Sequence, residues 1–217
     1  MTVKKSGIIA AKNPDGFFGT LALMTALGLK MSETNINWVK GCHLNRVEKF
    51  EAEKDSIFVI GLGPHNCPSQ ALRGFLHENQ EGIKIWVEAH NKGGGLKKIE
   101  GLNGHLEGIE YLGQPTDKFP SCASILEAKY PSKIEPHWTV AANHLHNPHN
   151  HLANELARTY RQVISLADQR ERQGENGYVT SVFQRFLEHL HQGNDYKHFL
   201  EMLTTEKTNQ ELAPMPA

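Results

Sequence analysis

Between Ser6 and about residue 120, short continuous apolar runs alternate with longer stretches whose apolar residues recur every three or four positions. Ser6 to Ala11 is apolar, β-branched and short, and reads as a buried strand. Phe17, Leu21, Met24 and Leu27 share helical spacing, with Asp15 or Gly16 supplying the start and Gly28 the stop. Asn35 to Val39 reads as a second strand, and Arg46 to Ala52 as a short helix. Ser56 to Ile60, SIFVI, is continuously apolar, as a central parallel strand requires. A loop, GLGPHNCPSQ, then leads into a helix from Gln70 to Asn79. Ile83 to Val87 and Leu106 to Leu112 complete the strands. Strands alternating with helices at this spacing predict an α/β fold: an open, mostly parallel sheet of about five strands with helices on both faces.

After Pro120 the pattern becomes helical. Ser121 to Lys129 reads as a helix, broken by the prolines of YPSKIEPH. From His151 onward Leu152, Leu156, Tyr160, Val163, Ile164 and Ala167 share one face. Gly174 to Gly177 reads as a turn, Val179 to His191 and Tyr196 to Leu203 as further helices, and the polar, proline-ended tail as frayed. The division expected is an α/β domain over 1–150 and a helical extension packed on it over 151–217.

Composition narrows the classes. In 217 residues, 39% are hydrophobic and 22% charged, the range of a soluble globular protein. A formal net charge of −1 provides no global field for nucleic acid or an anionic membrane. No stretch approaches the roughly 18 apolar residues of a membrane span. Cys42, Cys67 and Cys122 are widely spaced with no CxxC, which fits a reducing cytoplasm. Histidine is abundant, at 13 residues. Aspartate is scarce: Asp15, Asp55, Asp117, Asp168 and Asp195 are the whole set.

In a parallel sheet the carboxyl ends of the strands converge on one edge, where ligands bind. The first strand delivers Asn13, Asp15 and Gly16 there, the third Gly61, Gly63 and His65, the fourth Glu88 and His90. Carboxylate and imidazole ligands suit manganese, iron or zinc. The same residues also suit plainer roles, since Asp-Gly is a common turn and helix-start signal. The glycines of GLGP could take a phosphate on exposed N–H groups.

The order of these elements resembles the DHH phosphoesterase superfamily over roughly residues 6 to 150. The family's HxDxDG motif matches Ala11, Asn13, Asp15 and Gly16. Its second motif ends a strand of the VFVLDLG type on an Asp, and IFVIGLG is similar with Gly61 there. The DHH triplet falls on Glu88, Ala89 and His90. A later Asp falls in TVAANHLHNP, at Asn143 or His144. The resemblance implies hydrolysis of phosphoesters with a pair of divalent ions, usually manganese. It implies Asp15 and His90 as catalytic positions, and Asp15, Glu88, His90 and His144 as metal ligands. A small phosphorylated ligand or nucleotide would be the binding partner.

The departures from the family are specific. Asn13 carries no charge, and Gly61, where the family's Asp bridges two ions, carries no side chain. A two-metal site must offset about four positive charges with the ions roughly 4 Å apart, and one Asp with one Glu cannot do so. The segment Pro136 to His151 holds His137, His144, His146, His149 and His151, which could rebuild a site for a single manganese or zinc ion. Its plainer reading is a polar helix-capping loop. Three readings therefore stand: a degenerate, non-catalytic or weakly active phosphoesterase-like protein that binds a ligand or partner, an active single-metal hydrolase, and an oligomerising interaction protein with no site.

Overall fold

The structure is a computed structural model that describes residues 6–40, 56–63, 69–79, 81–89, 108–113, 121–146 and 154–211. The expected helix at Arg46 to Ala52, His65, His90, His149, His151 and the last six residues lie outside them. The chain divides into two compact units, Met1–His151 and Leu152–Ala217.

The first unit is an α/β fold on five parallel strands: β1 (Ser6–Ala11), β2 (Thr34–Val39), β3 (Ser56–Ile60), β4 (Ile83–Glu88) and β5 (Glu110–Gly113). They lie in the order β2-β1-β3-β4-β5, and every adjacent pair is parallel. Its described α-helices are α1 (Pro14–Leu27), α2 (Ser69–Asn79), α3 (Cys122–Lys129) and α4 (Pro136–His146).

The strands β1, β3 and β4 are apolar at most positions, as strands covered on both faces must be, with Lys84 the exposed exception in β4. Ile9, Val59 and Trp86 lie in register across them and pack with Leu72, Phe75 and Leu76 of α2. The other face carries Ile60, against which α1 packs so closely that a Cβ on Gly19 would lie 2.6 Å from its Cγ2. One crossover runs from β1 to β2 through α1, and the other runs the opposite way from β3 to β4 through α2. Right-handed crossovers in opposite directions place their helices on opposite faces. The strand order therefore reverses between β1 and β3, and the crevice at their carboxyl ends is the place where such sheets bind ligands.

The second unit is α5 (Glu155–Arg172), α6 (Tyr178–His191) and α7 (Tyr196–Glu211). Phe186 stacks on Phe199 with ring centroids 4.8 Å apart, and Tyr160 meets Phe183 edge-on. Each such side chain, fully buried, contributes roughly 1.5–3 kcal/mol.

Three expectations are corrected here. Helix α1 starts at Pro14 with Asn13 as its cap, so neither Asp15 nor Gly16 supplies the start. Most of the histidine segment is the helix α4, anchored by buried Trp138, Ala141 and Ala142, not a capping loop. Helix α7 runs on to Glu211, through much of the stretch expected to fray.

Candidate functional site

Asn13 leaves β1 in an extended conformation, and its Oδ1 accepts the Gly16 N–H at 2.8 Å. Pro14 takes the first helical position, where a missing N–H costs nothing. The chain must turn sharply to do this. A Cβ on Gly16 would lie 2.0 Å from the Ala11 carbonyl oxygen, so only glycine fits. The turn leaves Asp15 in the first turn of α1, 7% exposed, pointing away from solvent.

The partner of Asp15 is Cys122, the first residue of α3. The Cys122 backbone N–H donates to Asp15 Oδ1 at 2.7 Å, and its thiol lies 3.1 Å from Oδ2. The same sulfur lies 3.6 Å from the Val87 carbonyl oxygen, at the end of β4. Burial pushes the Cys122 thiol well above its ordinary range, and the charge of Asp15 adds to this. The thiol is therefore a hydrogen-bond donor here and not a nucleophile.

Gly61 follows β3 with φ +69°, in the left-handed region. A Cβ there would lie 3.1 Å from Gly16 N, 3.2 Å from Gly16 Cα and 3.3 Å from Ala11 Cβ. Its N–H donates to the Val87 carbonyl at 2.9 Å. The direction a side chain would take from Gly61 is thus crowded by Gly16 backbone and the Ala11 methyl. Gly63 lies two residues on and is half-buried.

Glu88 ends β4 and is 2% exposed. Burial raises its pKa to about 7; the hydrogen bond from Tyr111 works against that rise, and the nearby Asp15 adds to it. The Tyr111 hydroxyl donates to Glu88 Oε2. Burial, and then Glu88, push the Tyr111 phenol upward, so it stays protonated and donating.

Asn143 and His144 sit in the last turn of α4. Asn143 Oδ1 accepts from Ser121 Oγ at 2.6 Å and from Ser124 Oγ at 2.7 Å, joining α4 to the start of α3. The Nδ1 atom of His144 is buried with no hydrogen-bond partner among the described residues.

The structure thus brings Asn13, Asp15, Gly16, Gly61 and Glu88 to one edge of the sheet. Among the described residues, no three His, Cys, Asp or Glu side chains form a group that could hold a metal ion, so His144 does not complete a set with Asp15 and Glu88. Among the described residues, those at this edge do not fit a two-metal centre. Asp15 accepts from the Cys122 N–H and lies against its thiol, and Glu88 is buried and bonded to Tyr111. Asn13 caps a helix, and Gly61 has no side chain and sits in a left-handed, tightly packed position where one would be strained. Sequence reasoning missed Cys122 and Tyr111. SCAS signals a helix start at Ser121, but nothing local marks Cys122 as the partner of a residue 107 positions earlier.

No family model matches the sequence, and no curated protein matches it. Among solved structures, the chain is similar to the crystal structure of exonuclease RecJ bound to manganese, at 14% identity and TM-score 0.44, over 96% of this chain and 62% of that one. RecJ from Thermus thermophilus, in complex with Mn2+, matches at 18% identity and TM-score 0.36, over 76% of this chain and 22% of that one. An uncharacterized protein from Helicobacter pylori matches at 13% identity and TM-score 0.42, over 94% of this chain and 69% of that one. With every TM-score below 0.5, none of these defines a family for the chain. Its class is a doubly wound α/β protein, as the strand order requires.

Proposed function

We propose that this chain is a DHH-like domain whose two-metal centre has degenerated, and that it binds a ligand or partner at the carboxyl edge of its sheet without hydrolysing it. The carrying observation is Gly61. Where the resembled family has an ion-bridging Asp, this backbone is left-handed and packed against Gly16. A carboxylate there would need both a strained backbone and displaced neighbours. The use of Asp15 by Cys122, and the hydrogen bond that Glu88 accepts from Tyr111, support the same reading. The edge still lies at the β1/β3 reversal, which supports binding of a small phosphorylated ligand or nucleotide there. The cysteine usage supports a cytoplasmic setting, and the helical second unit suits an oligomer or partner contact.

One observation favours the single-metal alternative. His144 Nδ1 is a buried ring nitrogen without a partner among the described residues, and such an atom is a candidate ligand. The two readings separate in an assay of a generic phosphodiester with added manganese or zinc. The degenerate reading expects no turnover above that of Asp15→Ala. Metal-dependent turnover lost in both Asp15→Ala and His144→Ala would replace it with the alternative.

A further inference from the structure

A carboxylate as buried as Asp15 needs a compensating partner, because an unpaired buried charge is costly. In a metal centre a cation is that partner. Here the compensation is already complete, and it comes from two helix ends. Asp15 sits in the first turn of α1, where the helix's own N-terminal partial charge favours an anion. Its Oδ1 also receives the N–H of Cys122, the first residue of α3, so a second helix N-terminus points at the same group. The Cys122 thiol donates to the other oxygen. Neither helix end is otherwise short of a cap: Asn13 holds Gly16 N–H, and the Ser121 hydroxyl accepts from Ser124 N–H at 3.2 Å. Asp15 therefore meets the positive ends of dipoles on two sides, with the acid Glu88 also nearby.

We infer that Asp15 is an internal anion seated between the N-termini of α1 and α3, a cation-independent latch that joins the two helices through Cys122 in the place where a metal would act. The inference rests on the degenerate-centre reading and adds a definite role for the acidic residue the edge retains. Asp15 is a positioning residue. It draws α3 onto α1 and the end of β4: a Cβ on Gly19 of α1 would lie 2.8 Å from that of Cys122, whose sulfur lies 3.6 Å from the Val87 carbonyl oxygen.

The test is thermal unfolding of the full chain in EDTA, in manganese chloride, and in sodium sulfate against sodium chloride at matched ionic strength. The wild-type midpoint should be the same in EDTA and manganese. Asp15→Asn should lower it by about 5 °C or more, since it removes the charge from a charge-assisted hydrogen bond, and manganese should restore none of the loss. In Asp15→Ala the two vacated helix ends should make sulfate more stabilising than it is for the wild type. Cys122→Ser, which keeps a donor, should fall less than Cys122→Ala. A manganese-induced rise in the wild type that disappears in Asp15→Asn would overturn the latch, as would an Asp15→Asn variant as stable as the wild type. If the Asp15 variants do not fold, the wild-type side is read in a Cys42→Ser, Cys67→Ser background. Cys122 should resist a thiol reagent equally with and without EDTA, and exposure on chelation would contradict the inference. Manganese-dependent hydrolysis would instead overturn the degenerate-centre reading, whereas manganese stabilisation without turnover would overturn the latch alone.

Discussion

Tyr111 reaches Glu88 because Gly113, the residue paired with Glu88 across β4 and β5, has no side chain. A Cβ on Gly113 would lie 2.6 Å from Tyr111 Cε1 and 2.9 Å from its hydroxyl oxygen, so the ring occupies the space a residue there would need. Gly113→Ala should displace Tyr111 and destabilise the protein by about 1–3 kcal/mol, measured by urea unfolding. Retention of wild-type stability would mean that the ring does not lie over Gly113.

Glu88 makes stability depend on pH. Its folded pKa, about 7, lies above its ordinary 4.5, so the native state holds the proton more tightly than the unfolded chain. The contribution is fully present below pH 4.5 and is lost as pH rises through about 7. The swing is on the order of 3 kcal/mol. Urea unfolding at pH 5 and pH 8 should show the wild type losing more stability than Glu88→Gln, which cannot titrate. Parallel losses in the two proteins would contradict the assignment.

The Tyr111 hydrogen bond opposes the rise in the Glu88 pKa. Tyr111→Phe removes it, so the Glu88 titration should move to higher pH. Carboxyl-carbon NMR of Glu88 reads this directly, and a downward movement would show that the bond favours the protonated acid.

Gly61→Asp restores the carboxylate that the resembled motif carries, but not the site. The left-handed backbone and the crowding against Gly16 should cost about 1–3 kcal/mol. No manganese binding should appear. A variant of wild-type stability that binds manganese would show that the backbone accepts a metal-bridging side chain.

Much of the fold was legible because its determinants are local. SIFVI and IKIWV are apolar at nearly every position, as buried parallel strands must be, and Gly28 ends α1 in the left-handed conformation a helix stop needs. Asn13-Pro14-Asp15-Gly16 reads equally well as a turn, so spacing alone places the cap two or three residues late. In α4 the histidines and prolines mask the helical spacing of Trp138, Ala141 and Ala142. Asp15, Gly61 and Glu88 were found at the sheet edge because parallel strands carry their ends there. What each of them touches was not legible. Cys122 and Tyr111 come to Asp15 and Glu88 through tertiary folding, and whether Gly61 has room for a side chain depends on the approach of Gly16 from another strand end.

The central claim is that this edge no longer holds a pair of metal ions. Isothermal titration of manganese into the metal-stripped full chain measures this most directly. The account predicts no pair of equivalents bound at micromolar concentration, and the same trace for the wild type and Asp15→Ala. Two equivalents bound with micromolar affinity, and lost in Asp15→Ala, would contradict it.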